Sequence, residues 1–202
     1  MLLGMYEQEV LQELTKLSRG YDTFIDVGAA DGYYAVGTLL SEQFHSCICF
    51  ETDFRGQEAI RSLAELNKVY KRIDIFGQAN SGFLSLLSST GFDLKRGGVF
   101  LFDIEGAEYS LLKDNVLQTL RTSSMIIELH DSSDDPGSNN AQLIDRAGRY
   151  FDHHVITCGA RDPNSFPELA DWTDDDRWLL CSESRAGLMK WLVLTPTAVH
   201  LN

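Results

Sequence analysis

Short apolar runs recur along the chain, and the segments between them carry their apolar residues at helical spacing. Thr23–Val27, Ser46–Phe50, Ile73–Phe76, Gly98–Asp103 and Ser124–Leu129 read as successive strands, with Val155–Thr157 and Trp191–Leu194 as two more. Between them, Val10, Leu11, Leu14 and Leu17 lie on one stripe of a helix over Tyr6–Leu17, and helices are expected over Tyr33–Leu40, Arg55–Leu66, Leu111–Leu120 and Asn140–Tyr150. Thr173 is placed to cap a late helix whose first turn holds Asp174, Asp175 and Asp176.

Almost wholly apolar strands that alternate with helices need cover on both faces, so the expected fold class is α/β, a doubly wound and mostly parallel sheet of seven strands with helices on both sides. Ligands of such sheets bind beyond the carboxyl ends of the strands, where the strand order reverses. No repeat or linker divides the 202 residues, and the expectation is one domain over 1–202 with a helical segment at 1–20.

The polar residues cluster at those strand ends. Asp26-Val27-Gly28-Ala29-Ala30-Asp31-Gly32-Tyr33-Tyr34 joins the first strand to its helix; Gly28 permits a sharp turn, and Ala30 and Gly32 let a ligand approach the backbone. Glu51 ends the second strand, about twenty residues on, where an acid can hold two ribose hydroxyls. A dinucleotide and S-adenosylmethionine (SAM) both satisfy that geometry. Two features favour SAM. Tyr33 fills the place where a dinucleotide site wants a third small residue, and Asp26 and Asp31 suit a sulfonium and an ammonium better than a diphosphate. An NAD-linked oxidoreductase is the competing enzyme, and a non-catalytic SAM-binding module is the competing class.

Charge narrows the acceptor. Seventeen basic against thirty acidic residues give −13 at pH 7, a balance that repels nucleic-acid backbones and anionic lipid. The expected acceptor is therefore a small molecule, with neither nucleic acid nor membrane as partner; a homo-oligomer is compatible with the sequence. No apolar run approaches the roughly 18 to 20 residues that span a bilayer, and the first ten residues lack a leader's basic-then-apolar pattern. With Cys47, Cys49, Cys158 and Cys181 read as reduced, buried thiols, a cytoplasmic location is expected.

The segment Phe24-Ile25-Asp26-Val27-Gly28-Ala29 with Gly32-Tyr33-Tyr34 resembles the first motif of class I SAM-dependent methyltransferases. Asp103-Ile104-Glu105-Gly106-Ala107-Glu108, followed by Leu111-Leu112, resembles the Asp-x-Glu-Gly-x-Glu signature of the FkbM-type methyltransferases, and Ile126-Ile127-Glu128-Leu129-His130 is similar to that family's fifth strand; the likeness covers about residues 23–131. The resemblance implies a Rossmann-like sheet of seven strands with the last antiparallel, SAM as methyl donor, and an oxygen acceptor such as a sugar or secondary metabolite. It also implies that Asp26, Gly28 and Gly32 line the methionine side of SAM, with Ala29, Ala30 and Tyr33 in the same loop, and that Glu51 holds the ribose. Leu101 stands where the family often has lysine, and 78–98 lacks the family's hairpin.

Parallel strands bring Asp103, Glu105 and Glu108 close to Glu128, His130 and Asp131. Asp103 is assigned to the sulfonium and amino-acid side of SAM. His130 is the first candidate for general base, because an imidazole's ordinary pKa of about 6.5 leaves it largely neutral at pH 7, and Glu105 is the second. Glu105 and Glu108 equally suit the first turn of the next helix. The hard oxygens and one nitrogen would also take Mg²⁺ or Mn²⁺, the lesser reading, because a cationic ligand alone selects such acids. Residues 131–140 and 159–172, the latter with Phe166 and Trp172, are expected to flank the acceptor; His153 and His154 are read as structural.

Overall fold

Each strand end places a different group at one edge of the sheet, and the topology decides which of them meet. The computed structural model describes residues 4–130, 139–185 and 187–197. Its strands are β1 (Thr23–Val27), β2 (Ser46–Phe50), β3 (Ile73–Phe76), β4 (Val99–Phe102), β5 (Ser124–Leu129), β6 (Phe151–Cys158) and β7 (Met189–Pro196); its helices are α1 (Gln8–Leu17), α2 (Tyr33–Leu40), α3 (Phe54–Leu66), α4 (Phe83–Ser89), α5 (Glu108–Leu111), α6 (Asp114–Thr119), α7 (Asn139–Ala147) and α8 (Asp174–Cys181). The sheet runs β3-β2-β1-β4-β5-β7-β6, parallel from β3 through β5, with β7 antiparallel to both neighbours. The strand order reverses between β1 and β4, so a ligand crevice is expected above that pair.

Strand alternation sorts the core into two layers. Phe24, Cys47, Cys49, Val99, Leu101 and Trp191 face α1, α2 and α3, while Ile25, Val27, Phe50, Phe100, Phe102 and Ile127 face α4 to α7. β1, β2, β4 and β5 are buried on both faces, which is why they lack polar alternation.

Four of the departures from the sequence expectation have a clear physical reason. α1 begins at Gln8 because Glu7 takes a left-handed conformation (φ 46°) and its side chain is used elsewhere. The expected helix over 111–120 breaks at Leu112 and Lys113, whose ψ values of 64° and 168° are not helical. α4 is a short helix within 78–98, where the spacing assigned no element, held by Phe83 and Leu87 against the core. β6 is longer than Val155–Thr157; as the edge strand it exposes Asp152, His153 and His154, and pairing with β7 rather than apolar patterning defines it. Thr173 does cap α8, its hydroxyl accepting the Asp176 N–H at 3.3 Å. All four cysteines are free and buried. Among the described residues, no helix is long and apolar enough to cross a membrane.

The N-terminal helix is tied to the far end of the sheet by Arg161, whose side chain is only 4% exposed. Its guanidinium donates to Glu9 through both Nη atoms (2.8 Å each), to Glu183 (2.7 Å) and to the carbonyls of Met5 and Gly159 (2.8 and 2.7 Å). Removing one member of such a buried pair strands the others. Arg161→Ala is therefore expected to cost about 3 to 5 kcal/mol, far above an exposed pair, as measured by urea unfolding.

Candidate active site

At the β1–α2 turn, Gly28 and Ala29 both donate to the Phe50 carbonyl (2.9 and 3.1 Å), which continues the β1–β2 pairing past the strand end. Gly28 has φ +94°, and a Cβ there would lie 1.7 Å from the Asp103 carbonyl oxygen, so this loop passes directly against the end of β4. Ala30 follows at φ 47°. That bend aims the Ala30 N–H at Glu51, whose Oε2 accepts it at 2.8 Å, while Oε1 accepts the Asp53 N–H at 2.7 Å. Two backbone donors thus fix the carboxylate; Oε2 keeps a lone pair for a further hydroxyl, and Oε1 also receives the Thr52 hydroxyl at a long 3.5 Å, a contact that a closer hydroxyl can displace.

This carboxylate stands on the rim of a cavity of about 350 Å³ above the β1–β4 switch point. Its lining includes Gly28, Ala30, Glu51, Asp103 and Glu105 from the expected set, together with Thr52, Gln78, Ala79 and Ile104. Among the described residues, no lysine or arginine lines it. Gln78 and Ala79 were not singled out from sequence; they follow β3, and only the β2–β3 pairing brings them to the rim. Glu105 also holds a left-handed backbone (φ 53°), so two non-glycine residues of the lining are held in a conformation that costs of order 1 kcal/mol or more.

Other expected residues stand elsewhere. Asp26 points beneath the loop, 1% exposed, with no hydrogen-bond partner for either carboxylate oxygen. Burial, then the nearby Asp103, pushes its pKa up to about 8. Ala29 is buried, and Gly32 (φ +90°) opens α2 against Ile60. Tyr33 turns away from the cavity to meet the edges of Tyr6 and Tyr34, at 5.4 and 5.1 Å between ring centres.

Past Asp103 the acids gather round one imidazole. His130 Nε2 lies 3.3 Å from Glu128, 3.5 Å from Asp103 and 3.6 Å from Glu105, while its Nδ1 is 3.0 Å from Glu108. Burial and the adjacent Asp103 hold the Glu128 carboxyl well above the usual range. Asp103, Glu105 and His130 each offer a ligand atom within 4.8 Å of the others, so these three are the residues that could hold a divalent cation. Asp131 and most of the expected 131–140 loop lie outside the described residues.

A second polar group, invisible in the sequence, lies beyond Glu128. Glu7 is 2% exposed and pairs with both the Tyr34 hydroxyl and Arg185. Arg185 lies over the Tyr6 ring at 5.3 Å and approaches Glu128 at 3.7 Å. Beside it is a larger cavity of about 490 Å³, lined by Arg161, Trp178, Cys181, Glu183, Arg185 and Leu188 among others. Of the aromatic walls expected from 159–172, Phe166 packs instead on Met5 and Leu169, and Trp172 is half exposed.

Solved structures with this architecture include methyltransferases. The fold is theirs. The chain superposes on spermidine synthase from Thermotoga maritima with a TM-score of 0.59 at 16% identity, covering 96% of this chain and 60% of that one. The bifunctional kinase-methyltransferase WbdD gives 0.57 at 13% identity, over 96% of this chain and 40% of that one. The m1A22 tRNA methyltransferase TrmK of B. subtilis gives 0.55 at 10% identity, over 93% and 65%. This chain thus spans between two fifths and two thirds of these proteins. No family model matches the chain, and no curated protein matches it in sequence. The same fold serves a tRNA-modifying enzyme, so the exclusion of nucleic acid rests on charge alone.

Proposed function

We propose that the chain is a SAM-dependent methyltransferase, of FkbM-like type, that methylates an oxygen of a small hydroxylated molecule. The observation that carries this reading is the Glu51 carboxylate, fixed by two backbone N–H groups on the rim of a cavity whose charged lining is wholly acidic. Glu51 Oε2 keeps an acceptor site for one ribose hydroxyl, and a second hydroxyl can reach Oε1 in place of the long Thr52 contact. Ala79 and Ile104 offer apolar walls to a flat base, and Gln78 an amide for its edge. Asp103 and Glu105 then meet the cationic end of the molecule. A dinucleotide would bring its diphosphate to the same acidic lining without any cationic side chain to receive it, which disfavours the oxidoreductase.

The bound donor supplies an electrophilic methyl group, activated by its sulfonium. The protein's part is to hold an acceptor hydroxyl in line with that methyl carbon and to take its proton. The carbon–sulfur bond breaks as the carbon–oxygen bond forms, and the proton passes to His130 Nε2, the one nitrogen set among the acids at the end of β4. Positioning of this kind supplies roughly 7 to 11 kcal/mol, and a base about 10²- to 10⁴-fold in rate. The 490 Å³ cavity beside Arg185 is the space for the acceptor's body.

Calorimetry is expected to show SAM binding, with no detectable binding of NAD. Glu51→Ala should weaken SAM at least about tenfold, since hydrogen bonds to a charged group contribute about 1.5 to 3 kcal/mol. Unchanged affinity in Glu51→Ala would remove the ribose assignment. Methyl-labelled SAM incubated with a library of hydroxylated metabolites then identifies the acceptor.

A further inference from the structure

We propose that Glu108 and Tyr109 form a clamp that fixes the ring orientation and tautomer of His130, with the proton on Nδ1 and the bare Nε2 turned toward the reacting hydroxyl. The inference deepens the proposed reaction and rests on it for the role of Nε2, but not for the clamp itself.

His130 follows β5 directly, where a strand end alone leaves the ring free to rotate. Two consecutive residues at the start of α5 remove that freedom. Tyr109 Oη accepts the His130 backbone N–H at 3.0 Å and is itself 2.6 Å from Asn140 Oδ1, so the phenol spans both connections that follow the strand. Glu108 holds the ring. Its side chain is fully buried, with Oε1 3.0 Å from His130 Nδ1 and Oε2 accepting the Gly106 N–H at 3.1 Å. Both oxygens are therefore engaged, and a carboxylate only accepts, so Nδ1 must be the donor and the neutral ring keeps its lone pair on Nε2.

Nε2, in contrast, faces the open side of the site. Glu128, Asp103 and Glu105 stand at 3.3, 3.5 and 3.6 Å, and Arg185 lies behind Glu128. Glu108 touches neither donor nor acceptor in this arrangement. It is a positioning residue, acting through the imidazole as an orienting acid acts on a base in other catalytic constellations.

The Gly106 N–H makes the isosteric variant informative. In Glu108→Gln that N–H keeps the amide oxygen on its own side and turns the NH₂ group toward Nδ1. Nδ1 must then accept, which places the proton on Nε2 and abolishes the base without removing any atom from the site. The test is ¹⁵N NMR of the full chain labelled at histidine, with His130→Ala used to assign the signals, at a pH where the ring is neutral. In the wild type, Nδ1 is expected to report as protonated and Nε2 as bare; in Glu108→Gln the pattern should invert. A wild-type ring protonated on Nε2 overturns the proposal even if the variant fails to fold. So does an unchanged pattern in a folded variant. SAM calorimetry separates the two readings: binding to Glu108→Gln should stay within about twofold of wild type, and absence of binding to the wild type defeats the transfer reaction while leaving the tautomer measurement valid.

Discussion

Asp26→Asn is expected to stabilise the protein, and by more as the pH rises. Asp26 is buried without a hydrogen-bond partner, and its pKa in the fold is about 8 against an ordinary 3.8. A folded value above the unfolded one means that the native state holds the proton more tightly. The stabilisation from that proton is complete below about pH 4 and is lost as pH climbs toward 8, above which a bare carboxylate sits in the core. At pH 7 the difference from a neutral isostere is on the order of 4 kcal/mol, the distance of pH 7 above the unfolded pKa multiplied by about 1.4 kcal/mol per pH unit. Urea unfolding at about pH 5, 7 and 9 should show wild type losing stability along this series while Asp26→Asn stays nearly flat. Parallel curves would show that the carboxyl is paired or hydrated in solution. Leu101 explains the isolation: it is the β4 partner of Asp26 in the parallel register, and it fills with an apolar side chain the place where the resembling family often carries lysine. Asp26 is thus left without a counter-ion beneath the β1–α2 loop and keeps its proton below about pH 8.

Gly28→Ala should have the opposite sign and a comparable size. The added Cβ would fall 1.7 Å from the Asp103 carbonyl, and the residue would have to hold φ +94°. Backbone on both sides cannot yield, because Gly28 N–H is bonded to Phe50 and Asp103 N–H to Val27. The expected outcome is a loss of about 4 kcal/mol or more and no measurable SAM binding, read by thermal unfolding and calorimetry. Gly37→Ala is the matched control: a Cβ there meets nothing within 4 Å, it lies inside α2, and a gain of about 0.5 to 1 kcal/mol is expected. If the two substitutions behave alike, the close approach of the loop to β4 is not present in solution.

The layered fold was legible because its strands are buried on both faces and so carry almost no polar residues. The end of β4 was legible for the opposite reason: Asp103 and Glu105 follow a strand without a polar interruption, and they line the cavity with Gly28, Ala30 and Glu51. What stayed hidden depends on partners distant in sequence. Glu7 and Arg185 are 178 residues apart, and neither belongs to a local pattern. Gln78 and Ala79 reach the rim through strand pairing, not through any signature of their own. The breaks at Leu112 and Lys113 were missed because the apolar spacing continues across them, and β6 was shortened because an edge strand tolerates Asp152, His153 and His154 on its exposed face. Asp26, Ala29 and Tyr33 belong to the same stretch as Gly28 and Ala30 but face inward or sideways, a distinction that spacing alone does not make.

The four thiols offer a clock. Cys47 and Cys49 lie 3.6 Å apart between β2 and its covering helices, and Cys158 and Cys181 are buried at the other end of the sheet. A thiol reagent must wait for the chain to open before it reacts, so labelling rates at the two ends report separately how often each half of the sheet comes apart. A ligand seated over β1 and β4 would slow the first pair and leave the second nearly untouched, which gives a readout of occupancy that needs neither a chromophore nor a known acceptor.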